Sequence, residues 1–317
     1  MKNFALIGAA GYIAPRHMRA IKETGNSLVA ALDPYDGIGI MDSNFPEAEF
    51  FTEFELFESF IERSQRSKEK IDYISIASPN YLHYSHIRAA LQNGAHAICE
   101  KPLVLNPTEI NELLAMESKS GKKVYTVLQL RLHDSIVALK KKVSDELKQD
   151  PNKIYEIDLS YITSRGKWYF TSWKGDEAKS GGIASNIGVH FFDMLSWIFG
   201  EAEESFVHVK QADTNAGFMR LKNANVRWFL SVNYDYIPED VKARGQRTYR
   251  SITIEGEEIE FSEGFTDLHT KSYEDILSGG GFGLKEAKNS IEIVAEIRKL
   301  APVGLSGEYH PFCTKVR

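Results

Sequence analysis

Residues 2–17 read KNFALIGAAGYIAPRH, and this stretch decides the fold. The run Lys2–Ile7 is short and mostly apolar, as a buried strand should be, and it stops at Gly8. A helix is expected from about Pro15 to Thr24, closed by Gly25 and Asn26. Gly8, Ala9, Ala10 and Gly11 then form a strand-to-helix turn, where main-chain N–H groups and a helix N-terminus can hold a pyrophosphate. The glycine spacing is degenerate: with Gly8 as the first Gly of G-x-G-x-x-G, Ala10 and Ile13 replace the other two. A turn glycine that serves only a positive φ is the competing reading. Leu28–Leu32 (LVAAL) reads as the next strand and leads into Asp33, 25 residues after Gly8. An acid near that spacing accepts hydrogen bonds from ribose hydroxyls and repels a 2′-phosphate, which favours NAD over NADP. Asp33–Pro34 as a plain turn initiator is the alternative.

The rhythm continues outward. Glu53–Arg63, Tyr81–Asn93 and Pro107–Ser120 read as helices, and Ile71–Ala77, Ala95–Cys99 and Val124–Leu130 as strands. Alternating β and α segments predict a parallel sheet with right-handed crossovers and helices on both faces. After about residue 150 the period becomes two, in Lys153–Thr163, Ser205–Gln211, Val226–Tyr236 and Thr248–Ile254. Helical blocks at Asn186–Phe199 and Leu284–Leu300 interrupt and close this part. The expectation is an α/β protein in two parts. Residues 1–123 form a Rossmann-type, doubly wound, NAD-binding domain. Residues 124–317 form a substrate-binding α+β domain with a large, open, mostly antiparallel sheet. The wide face of such a sheet is expected to bury itself in a homo-oligomer, a dimer or tetramer. Lys140–Lys142 reads as a solvated helix face. No role is read for the tail from Pro302 to Arg317.

Length and composition narrow the classes. At 317 residues the chain suits about two domains, and 43% hydrophobic with 26% charged residues is ordinary globular composition. A net charge of −6 argues against a nucleic-acid partner, but leaves room for a local basic pocket that takes an anionic small molecule. Cys99 and Cys313 are too few for a disulfide framework and fit a reducing compartment. The opening residues lack the long apolar core of a signal peptide, and no apolar stretch approaches the roughly 18 residues of a membrane span. A cytoplasmic protein without a membrane partner is expected.

Two segments carry candidate chemistry. Glu100-Lys101-Pro102 follows the strand AHAIC, at the carboxyl edge where open α/β sheets bind ligands. A lysine there can stabilise a developing alkoxide, although a lone lysine is more often a surface group. In residues 180–193, SGGIASNIGVHFFD, the side chains of Asn186, His190 and Asp193 fall at i, i+4 and i+7 of one helix face. His190 is the natural proton acceptor near neutral pH, and Asp193 could orient it or merely pair locally. His83 and His86 at i, i+3 bring no ligand-spaced partner, so a helix surface and no metal site is the reading. Cys99, among apolar strand residues, reads as a buried small hydrophobe.

Together these segments resemble the Gfo/Idh/MocA oxidoreductase family, through E-K-P at 100–102 and a G-G-x-x-x-D-x-G-x-H-x-x-D pattern at 181–193. Asn186 stands where many members have Asp. Longer stretches, among them GAAGYIAPRHMRAI, SPNYLHYSHI, CEKPLV, LQLR, YITSRGKWY, SWKGD, NIGVHFFDML and EFSEGFTDLHTKSYEDIL, are similar to the UDP-N-acetyl-2-amino-2-deoxyglucuronate dehydrogenases. That subgroup shares the Asn at 186. The resemblance implies NAD-dependent oxidation of C3′ of UDP-N-acetylglucosaminuronate to a 3-keto sugar, in the making of O-antigen and lipopolysaccharide sugars. It also implies 2-oxoglutarate as a second substrate.

The expected site follows. Gly8, Ala10, Gly11, Tyr12 and Ile13 approach the pyrophosphate, and Asp33 holds the adenosine ribose. Ser78, Pro79, Asn80 and His83 line the ribose region, and Glu100, Lys101 and Gln129 contact the nicotinamide end. Lys101 and His190 are catalytic, with exchangeable roles, and with Asn186 they touch the sugar. Arg16, Arg131 and Arg165 with Lys167 are candidates for the diphosphate and carboxylate, because arginine meets carboxylates bidentately. Arg131 is the strongest of these. Tyr161, Ser164, Trp168 and Trp173 neighbour the basic segment and could bond or stack. Another sugar or polyol dehydrogenase, or a non-catalytic NAD-binding sensor, are the alternatives.

Overall fold

The computed structural model describes all residues except 37–38, 68, 260–266 and 317. The part EFSEGFT of the last quoted segment therefore lies outside the described residues. The chain divides into two compact units, Met1–Gln129 with Thr266–Lys288, and Leu130–Phe265 with Asn289–Arg317.

The first unit holds six parallel strands: β1 (Asn3–Ile7), β2 (Ser27–Leu32), β3 (Glu49–Phe51), β4 (Tyr73–Ile76), β5 (His96–Cys99) and β6 (Val124–Thr126). Their order is β3-β2-β1-β4-β5-β6, the doubly wound Rossmann order. The order reverses between β1 and β4, so the ligand crevice lies outside their carboxyl ends. The helix Ala14–Glu23 follows β1 and buries Ala14, His17, Met18, Ala20 and Ile21, one stripe of a 3.6-residue period. A late segment returns to this unit, the helix Leu268–Leu277, whose Tyr273 and Ile276 join the same core as Phe4, Leu6 and Met18. The linear division had placed that segment, and β6, with the second part. Distant pairing of this kind leaves no local trace in a sequence.

The second unit is built on a sheet of β7 (Tyr155–Thr163), β8 (Ala202–Lys210), β9 (Thr214–Leu221), β10 (Ala224–Ser231), β11 (Thr248–Ile254) and β12 (Glu257–Glu258), in the order β12-β11-β7-β10-β9-β8. Only β7 and β10 run parallel among these pairs. Odd-numbered residues Tyr155, Ile157 and Leu159 of β7 pack on one core with Phe192 and Phe199 of the helix Val189–Phe199. Strand β9 was not expected, because it is buried on both faces and shows no alternation.

The opposite face of this sheet is partly covered by the chain's own tail. Phe312, Cys313 and Tyr309 pack with Ile162, Ala216 and Phe229. His310 Nε2 meets Ser160 Oγ at 3.0 Å, and His208 joins the carbonyls of Gly304 and Glu308 at 2.9 Å each. The tail thus does part of the covering expected of a partner subunit. Lys141 and Lys142 are exposed as expected, whereas Lys140 Nζ donates to the Trp197 carbonyl and lies over its ring.

Candidate functional site

In the first unit the glycine turn has the geometry a phosphate cradle needs. Gly8 has φ +87°, and a Cβ there would lie 2.6 Å from the carbonyl carbon of Ala77, so only glycine lets the ends of β1 and β4 come this close. Ala10 N–H donates to Asp33 Oδ2 at 2.9 Å and Tyr35 N–H to Oδ1 at 3.0 Å. Asp33 therefore both initiates its turn and braces the glycine loop, with further acceptor capacity on each oxygen. The helix that follows has no side-chain cap at Ile13 and no acid in its first turn. Ala14 N–H and Arg16 N–H are held by the turn's own carbonyls, Gly11 O at 3.1 Å and Ile13 O at 3.0 Å, and no repelling carboxylate stands in the helix's first turn. Ala10 and Tyr12 are exposed beside them, and Arg16 is half-buried in the first turn. These features fit a dinucleotide, with the diphosphate at the helix end and Asp33 near a ribose.

The loops after β4 and β5 are held by buried histidines. Both ring nitrogens of His83 face main-chain carbonyls, Ser78 O at 2.9 Å and Pro102 O at 2.8 Å. His86 Nδ1 meets Ser78 Oγ at 2.9 Å, and its ring stacks on Phe54. The expectation of a helix surface fails for this pair, since His83 is fully buried and His86 nearly so. His83, expected at the cofactor, instead ties the Ser78–Asn80 loop to the loop after Lys101. Burial, aided by the nearby His83, holds the His86 imidazole down at about 4. Burial likewise pushes the Cys99 thiol well up, which fits the inert hydrophobe expected there.

Glu100 is also placed differently from the expectation of a nicotinamide contact. It is buried, and its Oε1 accepts from His17 Nε2 at 3.1 Å and His269 Nε2 at 2.8 Å. Burial opposes its charge, but the hydrogen bonds from His17 and His269 outweigh it and hold the carboxyl well below the ordinary range. Among the described residues, these three are the one group offering three metal-ligating atoms within 4.8 Å of one another. Sequence reasoning missed His17 and His269. The available signals were a histidine on the apolar stripe of the first helix, and a His-x-x-x-Tyr spacing at 269 and 273. Lys101 is half-buried after this residue, and Gln129 begins a single 3₁₀ turn rather than extending β6.

In the second unit, Arg131 forms a bidentate pair with Asp193, Nε to Oδ2 at 2.9 Å and Nη2 to Oδ1 at 2.7 Å. Both side chains are buried, and the guanidinium lies over Trp197. Of the two readings left open for Asp193, it takes the local pairing, and Arg131, the strongest candidate for a ligand contact, is engaged with this internal carboxylate. An arginine this deep needs a fixed counter-charge in the fold itself. Burial lifts the Asp193 carboxyl above its usual value, and the Arg131 hydrogen bond and charge offset this only in part.

The segment 184–199 is not one uniform helix. Ala184–Gly188 is a π-helical turn, and the α-helix starts at Val189. Such turns recur at functional sites because they rotate side chains out of regular register. Asn186 and His190 emerge half-buried, and Asn186 Nδ2 donates to the Tyr169 hydroxyl at 3.0 Å. A Cβ at Gly188 would lie 2.5 Å from Leu230 Cδ1 and 2.9 Å from Phe192 Cε2, so any larger residue here would force those side chains to shift.

The basic segment is arranged around aromatic rings. Lys174 Nζ lies 4.4 Å from the Trp173 ring centroid, and burial followed by the Arg165 charge lowers its pKa. Arg165, Lys167 and Trp168 are exposed. Ser164 is buried and accepts from Arg247, while Tyr161 packs on Phe191 beneath Arg250. A cavity of about 430 Å³ lies between Tyr169, Lys174, Gly182, Lys210 and Arg298. Lys174, Lys210 and Arg298 outnumber the acid Glu177 in its lining, which suits an anionic ligand. Lys101 belongs to the first unit and His190 to the second. No described helix is long and apolar enough to cross a membrane.

Comparison with known proteins fits this geometry. Residues 2–128 match the oxidoreductase family's NAD-binding Rossmann fold, and residues 152–257 its C-terminal alpha/beta domain. The chain is similar to the WlbA (WbpB) dehydrogenase of Thermus thermophilus, solved with NAD and alpha-ketoglutarate, at 54% identity and TM-score 0.94 over 98% of this chain and 100% of that one. The same dehydrogenase was solved with NAD and UDP-GlcNAcA. The WlbA dehydrogenase of Bordetella pertussis shares the fold at 20% identity and TM-score 0.77, over 96% and 98% of the two chains. D-glucoside 3-dehydrogenase of Escherichia coli is 28% identical over 41% of this chain and 36% of its own length. The chain spans about half the length, or less, of the curated relatives it matches, 49% and 36% for two of them. With both of its domains matched in order, the chain belongs to the Gfo/Idh/MocA oxidoreductase family.

Proposed function

We propose that this protein oxidises the C3′ hydroxyl of UDP-N-acetylglucosaminuronate to the 3-keto sugar, using NAD. One observation carries the reading: 53% identity across 98% of the chain to a dehydrogenase solved with NAD and UDP-GlcNAcA. When bound, NAD supplies the acceptor for the hydrogen leaving C3′. Asp33 accepts from the adenosine ribose hydroxyls and excludes a 2′-phosphate. His190 accepts the proton of the sugar hydroxyl, and Lys101 stabilises the negative oxygen that results. The two roles are exchangeable, because both groups accept or donate protons. With Arg131 engaged by Asp193, the diphosphate and uronate fall to Arg16, Arg165 and Lys174. The complex of the Thermus enzyme with alpha-ketoglutarate supports 2-oxoglutarate as a second substrate, which would take a hydride from the reduced cofactor and a proton and leave as 2-hydroxyglutarate. A homo-oligomeric, cytoplasmic enzyme of lipopolysaccharide sugar biosynthesis completes the proposal.

Single-turnover NADH formation tests it. Lys101→Met and His190→Asn should each slow the step by about 10²-fold or more. Near-wild-type rates in both variants defeat the assignment. Equal turnover of a neutral hexose series would point to another sugar or polyol dehydrogenase, and tight binding without turnover to a sensor.

A further inference from the structure

Glu100 stands one residue before Lys101, yet its side chain turns into the fold. The side chains of His17, His269 and Glu100 are 0%, 3% and 10% exposed. His17 Nδ1 lies 2.7 Å from the Tyr273 hydroxyl, which lies 2.6 Å from Ser75 Oγ. His269 Nδ1 is buried with no hydrogen-bond partner among the described residues.

These contacts fix the protons. An ionised carboxylate only accepts, so both histidines donate from Nε2. Their Nδ1 atoms are then bare when the rings are neutral. That of His17 accepts from the Tyr273 hydroxyl, whose oxygen accepts from Ser75. That of His269 has no hydrogen-bond partner among the described residues. Burial holds the His17 ring below its usual pKa, against the pull of Glu100, which agrees with a neutral ring. Every donor in the chain Ser75, Tyr273, His17 therefore runs toward Glu100, and His269 closes from the other side. Cys99 and His83 are further titratable neighbours of Glu100, and Lys101 follows it in the chain. Glu100 Oε2 accepts from the main-chain N–H of Lys101 at 3.3 Å.

We propose that His17, His269 and Tyr273 are positioning residues: they anchor Glu100 as an anion through Oε1, so that Oε2 pins the main chain of Lys101 at the carboxyl edge of the sheet. The inference rests on the role given to Lys101 above, and it adds residues that never meet the substrate. At 2.8 and 3.1 Å the two histidine nitrogens lie at hydrogen-bond lengths from one shared carboxylate oxygen.

The experiment uses the full chain with His17→Phe, His269→Leu and His269→Gln. The Phe and Leu variants should lose about 10- to 100-fold in kcat, the scale set by small misplacements, with KM for the sugar nucleotide changed less than about 3-fold. Their acidic pH–rate limb should move to higher pH, because Glu100 loses a donor. Glutamine keeps an N–H donor, so His269→Gln should recover most of kcat and return the limb toward wild type. In cofactor-free protein with ¹³C-labelled glutamate carboxyls, Glu100 should remain ionised at about pH 4.3, the ordinary glutamate midpoint, and titrate higher in His269→Leu. Folded variants with unchanged kcat, pH profile and carboxyl titration overturn the proposal. So does a stoichiometric metal found by mass spectrometry. Loss of function in Lys101→Met alongside such silent histidine variants would sink only this inference, whereas a fully active Lys101→Met would sink the assignment of Lys101 itself.

Discussion

Glu100 in the first unit and Asp193 in the second are both buried carboxylates beside residues singled out for chemistry, and they are held in different ways. Glu100 receives N–H donors from His17 and His269. Asp193 is clamped by the guanidinium of Arg131. The directions of their pKa values are opposite. Burial resists ionisation in both, but the histidine hydrogen bonds overcome it at Glu100, whereas Arg131 does not fully overcome it at Asp193. A cluster of well-aimed donors can therefore support a buried anion, while a buried ion pair must also carry the desolvation of its own cation.

The largest expected effect tests the ion pair. Asp193→Asn strands Arg131 in the core and should cost about 3–5 kcal/mol in denaturant unfolding, the scale for breaking a buried pair. Replacing both partners, as Arg131→Met with Asp193→Leu, should cost far less or nothing, because neither charge then needs solvation. A double variant as unstable as the single one would mean that Asp193 does not act by neutralising Arg131.

Glu100→Gln should be much milder, about 1 kcal/mol, the net value of an ordinary hydrogen bond. The amide oxygen can still accept from both histidines, and no cation is abandoned. Its –NH₂ would face the Lys101 N–H, donor against donor, so kcat should fall even where stability barely moves. A loss as large as that of Asp193→Asn would mean that His17 or His269 carries a positive charge.

These partnerships mark the limit of what the sequence could tell. The β1 turn, Asp33 and the strand-end position of Lys101 were legible, because local periodicity and a single glycine determine them. Strand β9 was not, because burial on both faces erases alternation. Arg131 was read as ligand-facing because a charge at a strand end suggests a ligand, and nothing local reveals a carboxylate 62 positions away. His269 and Tyr273 lay in a stretch quoted for its resemblance alone. Their role appears only when the late helix packs into the first core.

The smallest expected effect is a control common to both units. His86 in the first and His310 in the second are each lowered by burial to about 4 from 6.5. Each is neutral in the fold but takes a proton when unfolded below 6.5, so its contribution is full above that pH and is lost as pH falls toward 4. Between pH 7 and 5.5 each should cost roughly 1 kcal/mol of stability, by linkage. His86→Phe and His310→Phe should flatten that decline by similar amounts, read as the difference in unfolding free energy between the two pH values. Unequal flattening would show that the donor environments of the two units differ for neutral rings as well, and the contrast between Glu100 and Asp193 would then reflect the units rather than their partners.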